Sequence, residues 1–465
     1  MPNDPRLAEA LAAARAYPLL DAIRQRRSRR FGRGAVLTGS GLGHHSAASP
    51  HPLCEEEEAL LVFAAAGISG HCLSDLPMDG GDDREGGGGN IMAALTGRTI
   101  ASADAVHATA LFVINDDATW MMRRPQDFTP AEIGELCRLA AAGDMVGTYR
   151  KGRVKIRDGR TGVAREVPTL SPFNKWSTNL PGSTYFVPVG DLTAMYINVL
   201  LSSFSEQTGL YLVDERNNYR AAGIARHAQK RGGWLHHRYE DRRFVPIMLY
   251  ESVVLEFIIA EQAFMSHNLS LVEQAIGLGG WTHHATTSEI DWLAALGFTI
   301  ANQKASRYMR AGAVKRCLMR LLGKDVDIPH ALGLGVDGAD LMRPFCPPYY
   351  PTMEAAVLAF LEHKRAQLLE AQITDGTAGT WKDAAGVRRS VPWFSDRTIQ
   401  ATIDYCTYIY ETYGRFPAYF GPMRATLAHQ AHHLDLDFYD RHYHPGAYTE
   451  THAAHFDLWH GAGQS

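Results

Sequence analysis

The stretch from Phe244 to Phe264 constrains the fold of this chain more than any other. It is almost continuously apolar, with Pro246 near its start and Glu251, Glu256 and Glu261 set into it. Three carboxylates argue against a membrane span, because each would have to be desolvated in hydrocarbon. The run therefore predicts a long buried helix, and the apolar pattern carries on through residues 251–278. A helix apolar on most of its circumference needs other layers packed around it. The chain is long enough to supply them, with 465 residues, 46% of them hydrophobic. That length suits two or three domain-sized units.

Other elements are read from periodicity. Leu7, Leu11, Ala14, Leu19 and Ile23 recur at helical spacing and predict one helix within residues 5–31. Glu55–Ala66 is a second helix, with four glutamates in the first turn, where the helix dipole favours negative charge. Ala110–Asn115 and Tyr185–Val189 read as strands, Val154–Val167 as a hairpin turning at Asp158-Gly159, and Asp191–Ser205 as a helix. Ile328–Val336 reads as a late strand, Met353–Ala371 as an amphipathic helix and Thr380–Val391 as a last hairpin. Residues 32–53 and 70–90 are loops; the second holds Gly80, Gly81 and Gly86 to Gly89, and reads as a connector or a lid. No Gly-Lys-Ser/Thr follows, so it is not a P-loop. Strands and helices intersperse without the regular alternation of a doubly wound sheet, which points to an α+β fold with long insertions.

Charge and cysteine usage bound the partners. The formal net charge of -4 provides no global basic field for nucleic acid or an anionic membrane. The first sixteen residues carry Asp4, Arg6, Glu9 and Arg15 among alanines, unlike a signal peptide. The six cysteines lie far apart without a Cys-x-x-Cys pair, as in a reducing compartment. A cytoplasmic location is expected.

Two constellations could carry chemistry. The first is Arg26-Arg27-Ser28-Arg29-Arg30-Phe31. Guanidiniums grip phosphate bidentately and a serine hydroxyl adds a neutral donor, although the same run also reads as a solvated basic face. Arg-Arg-Ser-x-Arg-Phe after an N-terminal helix resembles the opening motif of the nitroreductase-like flavoproteins. Glu55–Gly70, an acidic helix ending in small residues, is similar to the family's next feature. Gly97–Ser102 before the strand at Ala110 stands where the family has an Arg and a Pro-Ser pair, but the proline is absent and Asp104 replaces the usual asparagine. Asn268–Thr282 resembles the family's long core helix ending in Gly-Leu-Gly, and Ala331–Val336 its last core strand. Residues 120–250 and 341–465 have no counterpart in the resemblance.

The resemblance implies a nitroreductase-like three-layer fold with a central mixed, mostly antiparallel sheet flanked by helices. It implies an FMN-binding domain over 1–340, a Tyr/His-rich extension over 341–465, and an intertwined homodimer. Arg26, Arg27, Ser28 and Arg30 would hold the FMN phosphate, Ser102 would contact the flavin, and Gly279, Gly280 and Trp281 would face its ring. Reduced flavin gathers negative charge at N1 and exchanges hydride at N5, so backbone donors close to the ring tune it, and close approach demands glycine. His283 or His284 would donate a proton to the substrate; electrons would come from NAD(P)H to reduce it, or flavin and oxygen would oxidise it, no nicotinamide motif being recognisable, and the long insertions point to a small, biosynthetic substrate. As plain sequence, Gly279–Trp281 reads equally as a helix cap with a core tryptophan, and the two histidines as surface groups.

The second constellation is the tail. If residues 429–440 are helical, His429, His432 and His433 share one face and could present imidazoles to zinc, iron or manganese. The competing reading is a His- and Tyr-rich packing segment. Asn174–Asn179, mixing aromatic and amide groups, suits substrate contact or an ordinary turn.

Overall fold

A computed structural model describes residues 5–39, 41–72, 96–284, 289–366, 382–383 and 393–461. The apolar run is a single thirty-residue helix, Ile247–Ile276, which starts directly after Pro246 and stops at Gly277, whose φ of 87° belongs to the left-handed region. Three carboxylates along this helix are buried, and each anchors a distant segment. Glu251 accepts from the backbone N–H groups of Ala418 and Tyr419, Glu261 from those of Ala108 and Thr109, and Glu273 pairs with His429. No described helix is long and apolar enough to cross a membrane.

The largest sheet among the described residues has seven strands. They are β1 (Thr109–Ile114), β2 (Ala118–Met122), β3 (Arg153–Asp158), β4 (Thr184–Asp191), β5 (Gly279–His284), the short β6 (Met423–Arg424) and β7 (Leu427–His432). Their order is β5-β7-β4-β1-β2-β3, with β6 beside β4, and every pairing is antiparallel. Strand alternation sorts the core into two layers. On one face Leu111, Val113, Phe186 and Ala431 pack on helices Glu55–Ala66 and Ile247–Ile276. On the other, Ala110, Phe112, Tyr185 and Val187 pack on Trp292, Leu293 and Leu296 of helix Glu289–Leu296. A further core joins helices Leu192–Ser203, Met353–Arg365 and Asp396–Tyr413 to the first half of the long helix. The long helix crosses β4 closely enough that a Cβ at Gly190 would lie 2.2 Å from Ile258. The architecture is α+β with an antiparallel sheet.

Several expectations change. The first helix is two, Pro5–Ala16 and Leu19–Gln25, because Pro18 lacks the N–H that continuity needs. Val154–Val167 supplies only β3, which pairs with β2 rather than with itself. Ile328–Val336 does not enter the central sheet. Asp327–Ala331 pairs with Ile300–Lys304, and Leu334–Val336 with Ala339–Met342, as separate two-stranded pairs. Within the expected C-terminal extension, β7 enters the central sheet between β5 and β4. The helix from Met353 runs to Arg365. Most of the glycine-rich loop, at 73–95, and nearly all of the expected 380–391 hairpin lie outside the described residues.

Candidate functional site

The arginine motif follows the short helix Leu19–Gln25 and runs in extended form beside the sheet edge. The Arg29 N–H donates to the Gly280 carbonyl of β5 at 3.1 Å, and the Arg33 N–H to the His433 carbonyl at 3.0 Å. The motif, the Gly-Gly-Trp strand and the histidine tail, far apart in sequence, therefore meet at one end of the long helix.

Arg27 and Ser28 are exposed and Arg26 is half-buried. Arg27 also caps the preceding helix, donating to the carbonyls of Arg24 and Arg26. Arg30 departs from its expected phosphate role. Its guanidinium bonds Asn174 Oδ1 at 3.0 Å and Ser177 Oγ at 2.7 Å and covers the Trp281 ring at 3.8 Å. Loop 174–179 thus holds an arginine. Gly279 and Gly280 are demanded by the protein's own packing, since a Cβ there would meet Leu434 at 2.2 Å and the Glu273 carboxylate at 2.0 Å. Trp281 is buried beneath Arg30.

His283 lies inside the core. Its Nε2 is 2.8 Å from the Tyr185 hydroxyl and its ring stacks on Trp281. Burial, helped by His429, Arg30 and His284, pushes its pKa down to about 3. The low value favours the neutral ring at neutral pH. His284 is exposed at the end of β5. Ser102 is also displaced from its expected role. It bonds Glu261 at 2.5 Å, twelve residues and about 18 Å along the helix from Glu273.

His429 and His432 belong to strand β7 and point to opposite faces, because side chains alternate along a strand. The helical face expected for them does not exist. His429 is held by Glu273 at 2.6 Å and Thr282 at 2.8 Å. His432 packs against Gly32, where a Cβ would lie 2.4 Å from its ring, and burial pushes its pKa to about 4. Of the three, only His433 belongs to a cluster of three or more converging metal-ligating side chains among the described residues. It faces His455 and His460 of helix Glu450–His460, and Glu57 from the first turn of helix Glu55–Ala66. His455 Nε2 is 2.9 Å and His460 Nε2 3.3 Å from Glu57 Oε1, and His433 Nδ1 is 3.1 Å from His455 Nε2. Burial holds His433 well below the histidine range, with His455 and His460 adding to the effect and Glu57 opposing it. Burial works against ionisation of Glu57, but the surrounding imidazoles outweigh it and keep the group a carboxylate.

At the other end of the motif Arg27 and Ser28 are exposed and Arg26 half-buried. The expected ring contacts are covered by the chain's own side chains, so one chain alone forms no ring cleft from them. No protein-family model matches the chain, and no curated protein sequence matches it.

Proposed function

We propose that this chain is an FMN-dependent oxidoreductase of the nitroreductase-like kind, working as a homodimer on a small substrate. One observation carries the reading. The Arg-Arg-Ser segment and the Gly-Leu-Gly-Gly-Trp segment, which each resemble a part of that family, pair backbone to backbone through Arg29 and Gly280. Arg26, Arg27 and Ser28 would hold the phosphate, and bound FMN would supply two-electron hydride chemistry at N5. The ring cleft would be completed by a second copy. Beside the motif, Leu19, Leu20 and Ile23 are exposed, and the long helix exposes Leu249, Val253 and Phe264. Apolar surface of this kind marks an association face.

Purified protein is expected to absorb near roughly 370 and 450 nm and to bleach with dithionite, as flavoproteins do. Replacing Arg26 and Arg27 together with alanine should strip the cofactor and leave circular dichroism and thermal melting unchanged. Retention of stoichiometric flavin in that variant refutes the phosphate assignment. A colourless wild type that FMN cannot reconstitute refutes the reading as a whole.

A further inference from the structure

We infer that Glu57, His433, His455 and His460 form a binding site for one divalent first-row metal ion, with zinc the best match to the ligand set. The inference stands apart from the flavin reading and uses none of its residues. The four ligand atoms all lie within 4.8 Å of one another. Tetrahedral zinc with bonds of about 2.0–2.1 Å places its ligand atoms roughly 3.3 Å apart. The measured separations of 2.9, 3.1 and 3.3 Å match that spacing.

Hydrogen bonding outside the cluster identifies which nitrogens are free to ligate. His455 Nδ1 lies 2.5 Å from the Ile276 carbonyl, and His433 Nε2 lies 3.3 Å from the Pro52 carbonyl. A carbonyl only accepts, so those nitrogens carry the protons. His455 Nε2 and His433 Nδ1 are then lone-pair nitrogens, and they face each other at 3.1 Å. The same His455 Nε2 faces a carboxylate oxygen at 2.9 Å. Acceptors converging at these distances in a buried pocket repel unless a cation sits among them. His460 turns Nε2 toward Glu57, and its Nδ1 lies 3.3 Å from His51 Nε2, an outer partner that can donate or accept. Orientation of each ligating imidazole by an outer partner is the arrangement that metal centres use to fix tautomers. Glu57 is itself anchored, its other oxygen accepting the Cys54 N–H at 2.6 Å.

The ligands come from three remote segments, so the ion would pin the last helix to the third helix and to the end of the central strand. His433 and His455 also wall a cavity of about 270 Å³ with Arg33, Asp435, His452 and Phe456, which gives the ion a route in.

The test is metal analysis of the full-length protein, first as purified and then after chelation and reloading with Zn²⁺ or Co²⁺. About one ion per chain is expected, with cobalt giving the intense ligand-field bands of a tetrahedral site. Glu57→Gln and His460→Ala should each weaken zinc binding by at least ~100-fold, while His51→Asn weakens it by ~10-fold through loss of orientation. His444→Ala, at an exposed tail position, should bind as wild type. Zinc should raise the melting temperature of the wild type but not of His460→Ala. A folded apoprotein that takes up neither ion at micromolar concentration overturns the site, as does stoichiometric metal retained by both ligand variants. Flavin absorbance reports separately on the other reading.

Discussion

Replacing Glu261 with alanine should destabilise the protein by about 3–5 kcal/mol, the range for stripping one partner from a buried charged network. The side chain is fully buried. Its carboxylate accepts the Ser102 hydroxyl at 2.5 Å and the N–H groups of Ala108 and Thr109 at 3.3 and 2.9 Å. Alanine leaves these donors without an acceptor and removes a counter-charge from the buried Arg98, whose guanidinium the carboxylate stabilises against burial. The loop between those contacts is strained. Asp104, Ala105 and His107 have φ of 53°, 51° and 50° without a glycine among them. Each costs of order 1–3 kcal/mol and persists only where its surroundings over-determine it. Glu261 grips both ends of this segment, so its loss releases the loop as well as the network. Equilibrium urea unfolding of wild type, Glu261→Gln and Glu261→Ala checks the idea. Glutamine, which keeps one acceptor, should fall between the other two. A loss below about 1 kcal/mol for alanine would show that the contacts are replaced by water.

The same residue shows what was legible in the sequence. Glu251 and Glu261 stood out as interruptions of an apolar run and argued correctly against a membrane span. Their work as acceptors for backbone groups more than a hundred residues away has no local signature. Strand β1 and the long helix were readable because their periodicity and length are local properties. The resemblance assigned the arginine motif and the Gly-Gly-Trp segment to two parts of one cofactor, and their backbone pairing through Arg29 and Gly280 was not part of that expectation.

The central position of β7 was not readable, and the reason is a choice of period. His429, His432 and His433 fit a helical face as well as a strand, and only the helical arrangement would bring all three together. On a strand, residues 429 and 432 part to opposite faces and only His433 continues toward the cluster. Its partners were hidden for other reasons. Glu57 is one of four consecutive glutamates, explained adequately by the helix dipole, and nothing local distinguishes the buried one. His455 and His460 have the His-x₄-His spacing that zinc sites do use, but no Cys-x-x-Cys pair accompanies it and the tail holds many other histidines, so the pair did not stand out. Pro18, by contrast, was a legible breaker that the helical periodicity on either side outweighed.

Acidification should unfold this protein through its buried neutral histidines, and His283 supplies the measurable share. Its pKa in the fold is about 3, lowered first by burial and then by His429, Arg30 and His284. In the unfolded chain it returns to about 6.5. The sign follows directly. Above pH 6.5 neither state binds the proton. As pH falls below 6.5 the unfolded chain takes it up and the folded chain does not, so stability is lost until pH approaches 3. At 1.36 kcal/mol per pKa unit this single group accounts for up to about 5 kcal/mol. His107 and His330, held at about 3 and about 4 by burial with Arg98 and Arg415 adding, act in the same direction. Glu251, raised by burial to about 7, acts in the opposite one, its share being full below the unfolded carboxyl range and lost as pH rises through 7. Glu58, Asp104, Asp191 and Glu273, also raised by burial, act with Glu251, while His363, His432 and His452, lowered by burial to about 4, about 4 and about 3, act with His283. His283→Phe keeps the stacking on Trp281 but orphans the Tyr185 hydroxyl, so it should be less stable than wild type at pH 7.5 by roughly 1–3 kcal/mol. Its stability should decline more slowly with acid, and the two curves should cross between pH 6 and 4, inside the window set by the two pKa values. Urea midpoints measured across that range decide the matter. Parallel curves would mean that His283 takes up its proton in the folded state near its ordinary pKa, and would favour it as a proton donor at the flavin edge.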